Sequence, residues 1–259
     1  MFYRQLAGFL ILVPLIIRRG RGAYATSHPG FLSYRAATAT GGLMLSFYAF
    51  QNMPLADANA LSFTRTLWIV VLAGVFLRET VGPLRIGATL VGFGGVLIML
   101  APKLSGGLEF GLPGLAMLAS SLLLALSILG IKSISHDTSP TVMMVWSAGL
   151  GLIFSIPGAM LTWRVPAPAD LALLSLMGML ASATLAFYIK GIQIGDAAAM
   201  APVDYSRLVL AVLFGFVLFG ELPSLWTVAG ALVVVASTLL ITWREHHVAR
   251  RALQGRSHE

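Results

Sequence analysis

The sequence predicts an all-α integral membrane protein, a bundle of nine transmembrane helices arranged as two inverted repeats of four and five. Three observations predict it. Hydrophobic residues make up 58% of the chain and charged ones 10%, with a mean hydropathy of +0.87, whereas soluble domains carry about a quarter charged residues. The apolar residues come in runs of membrane length. One stretch of the first half recurs in the second at a fixed offset.

A helix crossing about 30 Å of hydrocarbon needs roughly 17–25 apolar residues. Such runs lie near residues 2–17, 34–50, 57–77, 84–101, 111–131, 141–162, 169–190, 197–219 and 225–243. Their length and continuity favour helices over barrel strands, because each segment must satisfy its own backbone. Residues 1–17 do not read as a cleaved leader, since the run ends in Arg18 and Arg19 with no small-residue cleavage site. The net charge of +7 and pI near 10.2 reflect basic residues in short loops and the tail, which fits a topology signal better than a nucleic-acid surface. Twelve Lys and Arg fall on the side of the first loop and the C-terminus against three (Arg4, Lys103, Arg164) on the other. This bias puts the C-terminus in the cytoplasm. The chain has no cysteine, so no disulfide or thiolate metal site is available.

The repeated stretch is Leu61 to Glu79, echoed by Val203 to Glu221. Arg65 and Arg207, and Glu79 and Glu221, stand 142 residues apart, as do Phe63 and Tyr205, Val70 and Val212, and Gln51 and Gln193. An odd number of spans separates equivalent helices, so the repeats at 1–103 and 108–243 are inverted, followed by a basic cytoplasmic tail at 244–259. Many secondary transporters are built this way, with a site near the midplane at the repeat interface. By symmetry the first repeat lacks a helix expected before Met1.

The same residues resemble the drug/metabolite transporter superfamily, in particular its EamA-like ten-helix members. The resemblance rests on Leu77-Arg78-Glu79 followed by Gly87-Ala88, on Phe219-Gly220-Glu221 followed by Gly230-Ala231, and on Tyr48-Ala49-Phe50 with Met53-Pro54-Leu55-Ala56-Asp57-Ala58. It covers essentially the whole chain. Two departures stand out: the family's first helix has no counterpart, and Arg78 replaces the usual glycine before the glutamate. The resemblance implies an inner-membrane, multi-pass carrier of small organic metabolites. Asp204-Tyr205-Ser206-Arg207 with Phe219-Gly220-Glu221 looks closest to members that take up cofactors such as riboflavin or S-adenosylmethionine, with the direction of transport open.

Fold does not name the cargo, so the site is argued from residues. An ionisable group inside a span costs upward of about 2.5 kcal/mol and is a functional candidate by default. Arg65 and Arg207 lie near mid-depth and are candidates to bind an anionic or strongly polar group by charge-assisted bonds. Structural ion pairing competes, most directly for Arg207, which has Asp204 three positions before it on the same helix face. Asp204 is the coupling candidate. Trp68, Tyr205, Tyr48 and Trp146, with Tyr188, are candidate cavity aromatics, packing and interfacial anchoring being the alternative. Gln51 and Gln193 read as interhelical hydrogen bonders. Glu79 and Glu221 read as structural, each favouring the start of the next helix, and Ala88, Gly92 and Gly95 as packing residues.

An enzyme finds no support: H-E-x-x-H, G-x-S-x-G and Walker sequences are absent, and all five histidines fall outside the apolar runs. Neither catalytic residues, metal ligands nor a cofactor are expected. The expected partners are a small-molecule substrate, the lipid bilayer and a proton or other coupling ion, with a homodimer open and no nucleic acid. The expected function is secondary transport of small polar metabolites by alternating access. The alternatives are a non-transporting membrane component acting as an assembly partner and, less in keeping with the residues, a channel.

Overall fold

The computed structural model describes residues 1–76, 83–105, 111–134, 138–161, 163, 165–194, 210, 213–220, 222–237 and 239–240, with the backbone alone for 56, 83–85, 99–105, 131–134 and 188–194. Among these residues every regular element is helical. They are α1 (Phe2–Arg19), a 3-10 turn (Gly20–Ala23), α2 (Pro29–Asn52), α3 (Leu55–Ser62), α4 (Thr64–Phe76), α5 (Pro83–Ser105), α6 (Gly111–Ile134), α7 (Pro140–Leu161) and α8 (Pro168–Ile194). A further apolar helix, α9, covers Leu225–Ser237. Four stretches are long and apolar enough to cross a membrane: Asp57–Phe76, Gly111–Gly130, Pro140–Leu161 and Pro168–Phe187.

Local sequence explains the helix ends. Proline opens α2, α5, α7 and α8, where its fixed φ suits the helix and its missing N–H would have had no partner. Arg18 and Arg19 close α1, favourably placed against the C-terminal dipole. After the helical residues 213–219, Gly220 takes φ 66° and its N–H bonds the Phe216 carbonyl at 3.0 Å. This left-handed cap is cheap for glycine and strained for other residues.

The span expected over 57–77 is present as Asp57–Phe76, with a one-residue turn at Phe63 between α3 and α4. The Phe63 N–H reaches Ala60 O at 3.2 Å and the Thr66 N–H reaches Phe63 O at 3.0 Å, the tighter spacing of a 3-10 turn. Side chains supply the cause. Ser62 Oγ donates to Asn59 O at 2.6 Å and Asn59 Nδ2 to Leu55 O at 2.9 Å, local bonds that compete with the regular ladder.

The chain forms two compact units, Met1–Met44 with Leu126–Ile194 and Leu45–Ala125 with Gly195–Glu259. Each draws on both halves of the sequence, and the boundaries fall inside α2 and α6. In the first unit α1 packs against α8 and α7. Gly8 and Gly178 make the α1–α8 approach possible: a Cβ on Gly178 would run into the Arg4 carbonyl oxygen and stand 2.8 Å from Ala7 Cβ and 3.0 Å from the Gly8 nitrogen. Ser182 Oγ then reaches Gly8 O at 3.2 Å. Phe2 and Tyr3 stack obliquely on Trp163, with centroids 5.7 and 5.8 Å away.

The second unit has a core of Ala49, Ala58, Ala60, Leu61, Phe63, Leu67, Val96, Met117, Ala231 and Val234. Gly92 and Gly95 bring α5 close to its neighbours; a Cβ on Gly95 would lie 2.9 Å from Gly230 O and 3.0 Å from Val233 Cβ. Small residues at helix contacts are the membrane solution, since lipid offers no hydrophobic drive for helices to associate.

Filling these contacts should therefore separate helices. Gly178→Ala and Gly95→Ala are each expected to destabilise the detergent-solubilised protein by about 1–3 kcal/mol, read as a lower Tm. Gly94→Ala, at a position with no atom within 4 Å of its added Cβ, should hold or raise it. An unchanged Tm for Gly178→Ala would show that close approach is not what seats α1 on α8.

Candidate functional site

Arg65 stands in the first turn of α4, two residues past the break at Phe63, and is partly buried. The break is pinned from α6: Thr64 Oγ1 lies 2.7 Å from Leu61 O and 2.6 Å from Ser121 Oγ, with Thr64 fully buried. One turn on, Trp68 sets its ring edge-on to Phe93, with centroids 5.1 Å apart and planes at 71°. The Trp68 indole N–H is buried and meets no acceptor. An interior donor without an acceptor is costly.

Asp57 is the carboxylate that sequence reading passed over. It sits in the first turn of α3, suited to the helix dipole, and only 9% of it is exposed. Thr227 Oγ1, from α9, donates to Asp57 Oδ1 at 2.6 Å. Thr227 has one hydroxyl hydrogen, so in the 2.8 Å contact between Ser224 Oγ and Thr227 Oγ1 it is Ser224 that donates. Ser224 Oγ also accepts the Thr227 N–H at 3.0 Å. The relay Ser224, Thr227, Asp57 thus points its hydrogens at the carboxylate.

Tyr48, also in the second unit, has its side chain 40% exposed on α2, and Gln51 is exposed one turn on. Trp146 belongs to the first unit. Its Nε1 donates to Tyr24 O at 3.2 Å and its ring packs on Leu32, Val142 and Met143, which is anchoring and packing geometry. The structure therefore brings together Arg65 and Trp68 on one helix, with Tyr48 elsewhere in the same unit. Asp204, Tyr205, Arg207, Glu79 and Glu221 lie outside the described residues, as do the side chains of Tyr188 and Gln193.

Two charges read as topological markers are interior. Arg35, expected beside the membrane, lies in the second turn of an α2 that begins at Pro29 rather than near 34, and is 4% exposed. Its Nη1 donates to Ser147 Oγ. Arg4 is 9% exposed and its Nη2 donates to Gln5 Oε1 at 3.3 Å. The signal available for Arg35 was Pro29, a helix start that carries the residue two turns into the span. Among the described residues no three potential metal ligands converge.

Thr227→Val removes the hydroxyl from a buried carboxylate and is expected to cost about 1.5–3 kcal/mol of stability, measured by unfolding in mixed micelles. Ser224→Ala, one bond further away, should cost less. A Thr227→Val protein within about 0.5 kcal/mol of wild type would mean the carboxylate does not depend on this bond.

The chain has relatives along its whole length. The EamA-like transporter family model matches residues 1–101 and 112–243. The S-adenosylmethionine uptake transporter of Rickettsia prowazekii is 30% identical over 94% of this chain and 82% of its own length. The riboflavin transporter of Rhizobium johnstonii is 32% identical over 96% of this chain and 82% of its own. A solved crystal structure superposes with a TM-score of 0.65 over 95% of this chain and 87% of its own at 17% identity, a likeness of fold. With four apolar stretches of spanning length among the described residues, this is a multi-pass membrane protein, a transporter and not an enzyme. The chain belongs to the EamA-like transporter family.

Proposed function

We propose that the chain is a secondary active transporter, of nine membrane-spanning helices in two inverted repeats, that moves a small polar organic metabolite by alternating access. It acts in the cell's inner (plasma) membrane with its C-terminus in the cytoplasm. The observation that carries this reading is similarity over nearly the whole chain to proteins named as carriers of S-adenosylmethionine and of riboflavin. Both names denote metabolites with a planar heteroaromatic ring and polar substituents, and the substrate class here is accordingly amino-acid-, nucleoside- or cofactor-like, with an anionic or strongly polar group.

In this reading Arg65 and its repeat partner Arg207 hold the polar group, since a guanidinium offers several donors in one plane. Trp68, Tyr205 and Tyr48 supply ring contacts, and the indole N–H of Trp68, which meets no acceptor, supports a polar contact next to Arg65. Asp204 is the coupling group for a proton or other ion. Glu79 and Glu221 hold the repeat structure.

The test is a comparative metabolite profile of cells and medium with the wild-type chain, with Arg65→Ala/Arg207→Ala, and with no protein. The expected result is one small polar metabolite redistributed only by the wild type, with the double variant inserting equally well and its rate falling at least tenfold. A double variant that transports normally would make both arginines structural. A wild type that moves nothing would favour an assembly partner without transport.

A further inference from the structure

Arg35 has a place in the fold that membrane topology does not explain. Its aliphatic stem runs past Gly130 of α6, where an added Cβ would stand 3.5 and 3.6 Å from Arg35 Cβ and Cγ. Its head meets α7, where Nη1 donates to Ser147 Oγ. Ser147 spends its own hydrogen on the Met143 carbonyl, so its lone pairs serve the guanidinium. The Arg35 carbonyl accepts from Ser127 Oγ at 3.3 Å. Both chain and head are fixed, and the residue is 4% exposed.

The other edge of the guanidinium meets no acceptor among the described residues. Nε is buried and meets no acceptor, and Nη2 has none among the described residues. Nε–H and Nη2–H point the same way from the planar group, forming the side-on fork that accepts two oxygens of one carboxylate or phosphate. Among the described residues of this unit the one carboxylate is Asp170, exposed in the first turn of α8. A buried cation without a counter-charge is strongly disfavoured, and one held in place whose bidentate edge meets no acceptor among the described residues is an arrangement that an incoming anion would complete. One turn further along α7, Gly151 has no side chain, and Gln5 Nε2 and Thr40 Oγ1 crowd the space beside it. The surroundings of Arg35 therefore continue as polar groups where apolar packing is the default in a span.

We infer that the Nε–Nη2 edge of Arg35, oriented by Ser147, is an oxyanion-binding site that takes the carboxylate or phosphate of a small molecule or of a lipid headgroup. Only the identification of that small molecule as cargo rests on the transporter reading.

The full chain in phosphatidylcholine nanodiscs, at constant ionic strength with chloride as the reference anion, would be titrated with succinate and with inorganic phosphate while its Tm is followed. A parallel set of nanodiscs would contain phosphatidylglycerol. The expected result is a saturable rise in Tm in wild type that is lost in Arg35→Met. In Arg35→Lys, which keeps the charge and loses the fork, the concentration for half-effect should rise at least tenfold. Ser147→Ala should raise it several-fold, and this variant decides the matter if Arg35→Met does not fold. A response to the soluble anions identifies a small-molecule site, and one confined to phosphatidylglycerol a headgroup site. No response in wild type to any of the three, or equal responses in wild type and the Arg35 and Ser147 variants, overturns the inference. No step of this experiment requires transport, so its failure and a failed transport assay are independent results.

Discussion

In a chain this apolar, every polar group inside a span must find its partner within the protein, because hydrocarbon supplies none. The described helices meet that constraint with small hydroxyls. Ser46 meets Ser120 at 2.5 Å and Thr64 meets Ser121 at 2.6 Å, Thr227 meets Asp57, and Ser237 Oγ donates to the Ala88 carbonyl. Such bonds average about 0.6 kcal/mol each in membranes, so they add modest stability and substantial specificity. They fix which face of each helix meets which, and a slipped register would leave the same groups unpaired. The Nε of Arg35 and the indole N–H of Trp68 are among the described groups that escape the rule.

Packing follows the same logic. Large apolar side chains are exposed along the outer faces, as at Leu173, Leu180 and Phe187 of α8, where lipid is their solvent. The inner contacts go to Gly8, Gly178, Gly92 and Gly95. Backbones that approach so closely have little freedom to deform, whereas the turn at Phe63, held by side chains, is a point where one span can bend. A carrier needs both properties, rigid bundles and a small number of places where the chain yields.

The helical membrane fold was legible from composition and run length, because bilayer thickness imposes a length on every span. What composition could not show was local competition. The turn at Phe63 lies where Asn59 and Ser62 bond the backbone, whereas run length registers only hydropathy. The burial of Arg35 left no trace in run length either: its neighbours Tyr34 and Ser33 look interfacial, and the helix start at Pro29 carries the residue into the second turn of α2. Arg65 and Trp68 stand out in the sequence because a charge in an apolar run and an i, i+3 spacing are one-dimensional signals. The Asp57–Thr227 bond joins residues 170 positions apart and leaves no such trace.

The central claim, that polar groups beside the broken helix serve a path open alternately to each side, is tested most directly by accessibility. The chain contains no cysteine, so Thr66→Cys introduces a single thiol next to Arg65 at mid-span. In right-side-out and inverted vesicles, a membrane-impermeant maleimide is predicted to label it from both faces, with the balance between faces shifting when a small-metabolite extract is added. A thiol that reacts from one face only, or from neither, whatever is added, would contradict the account.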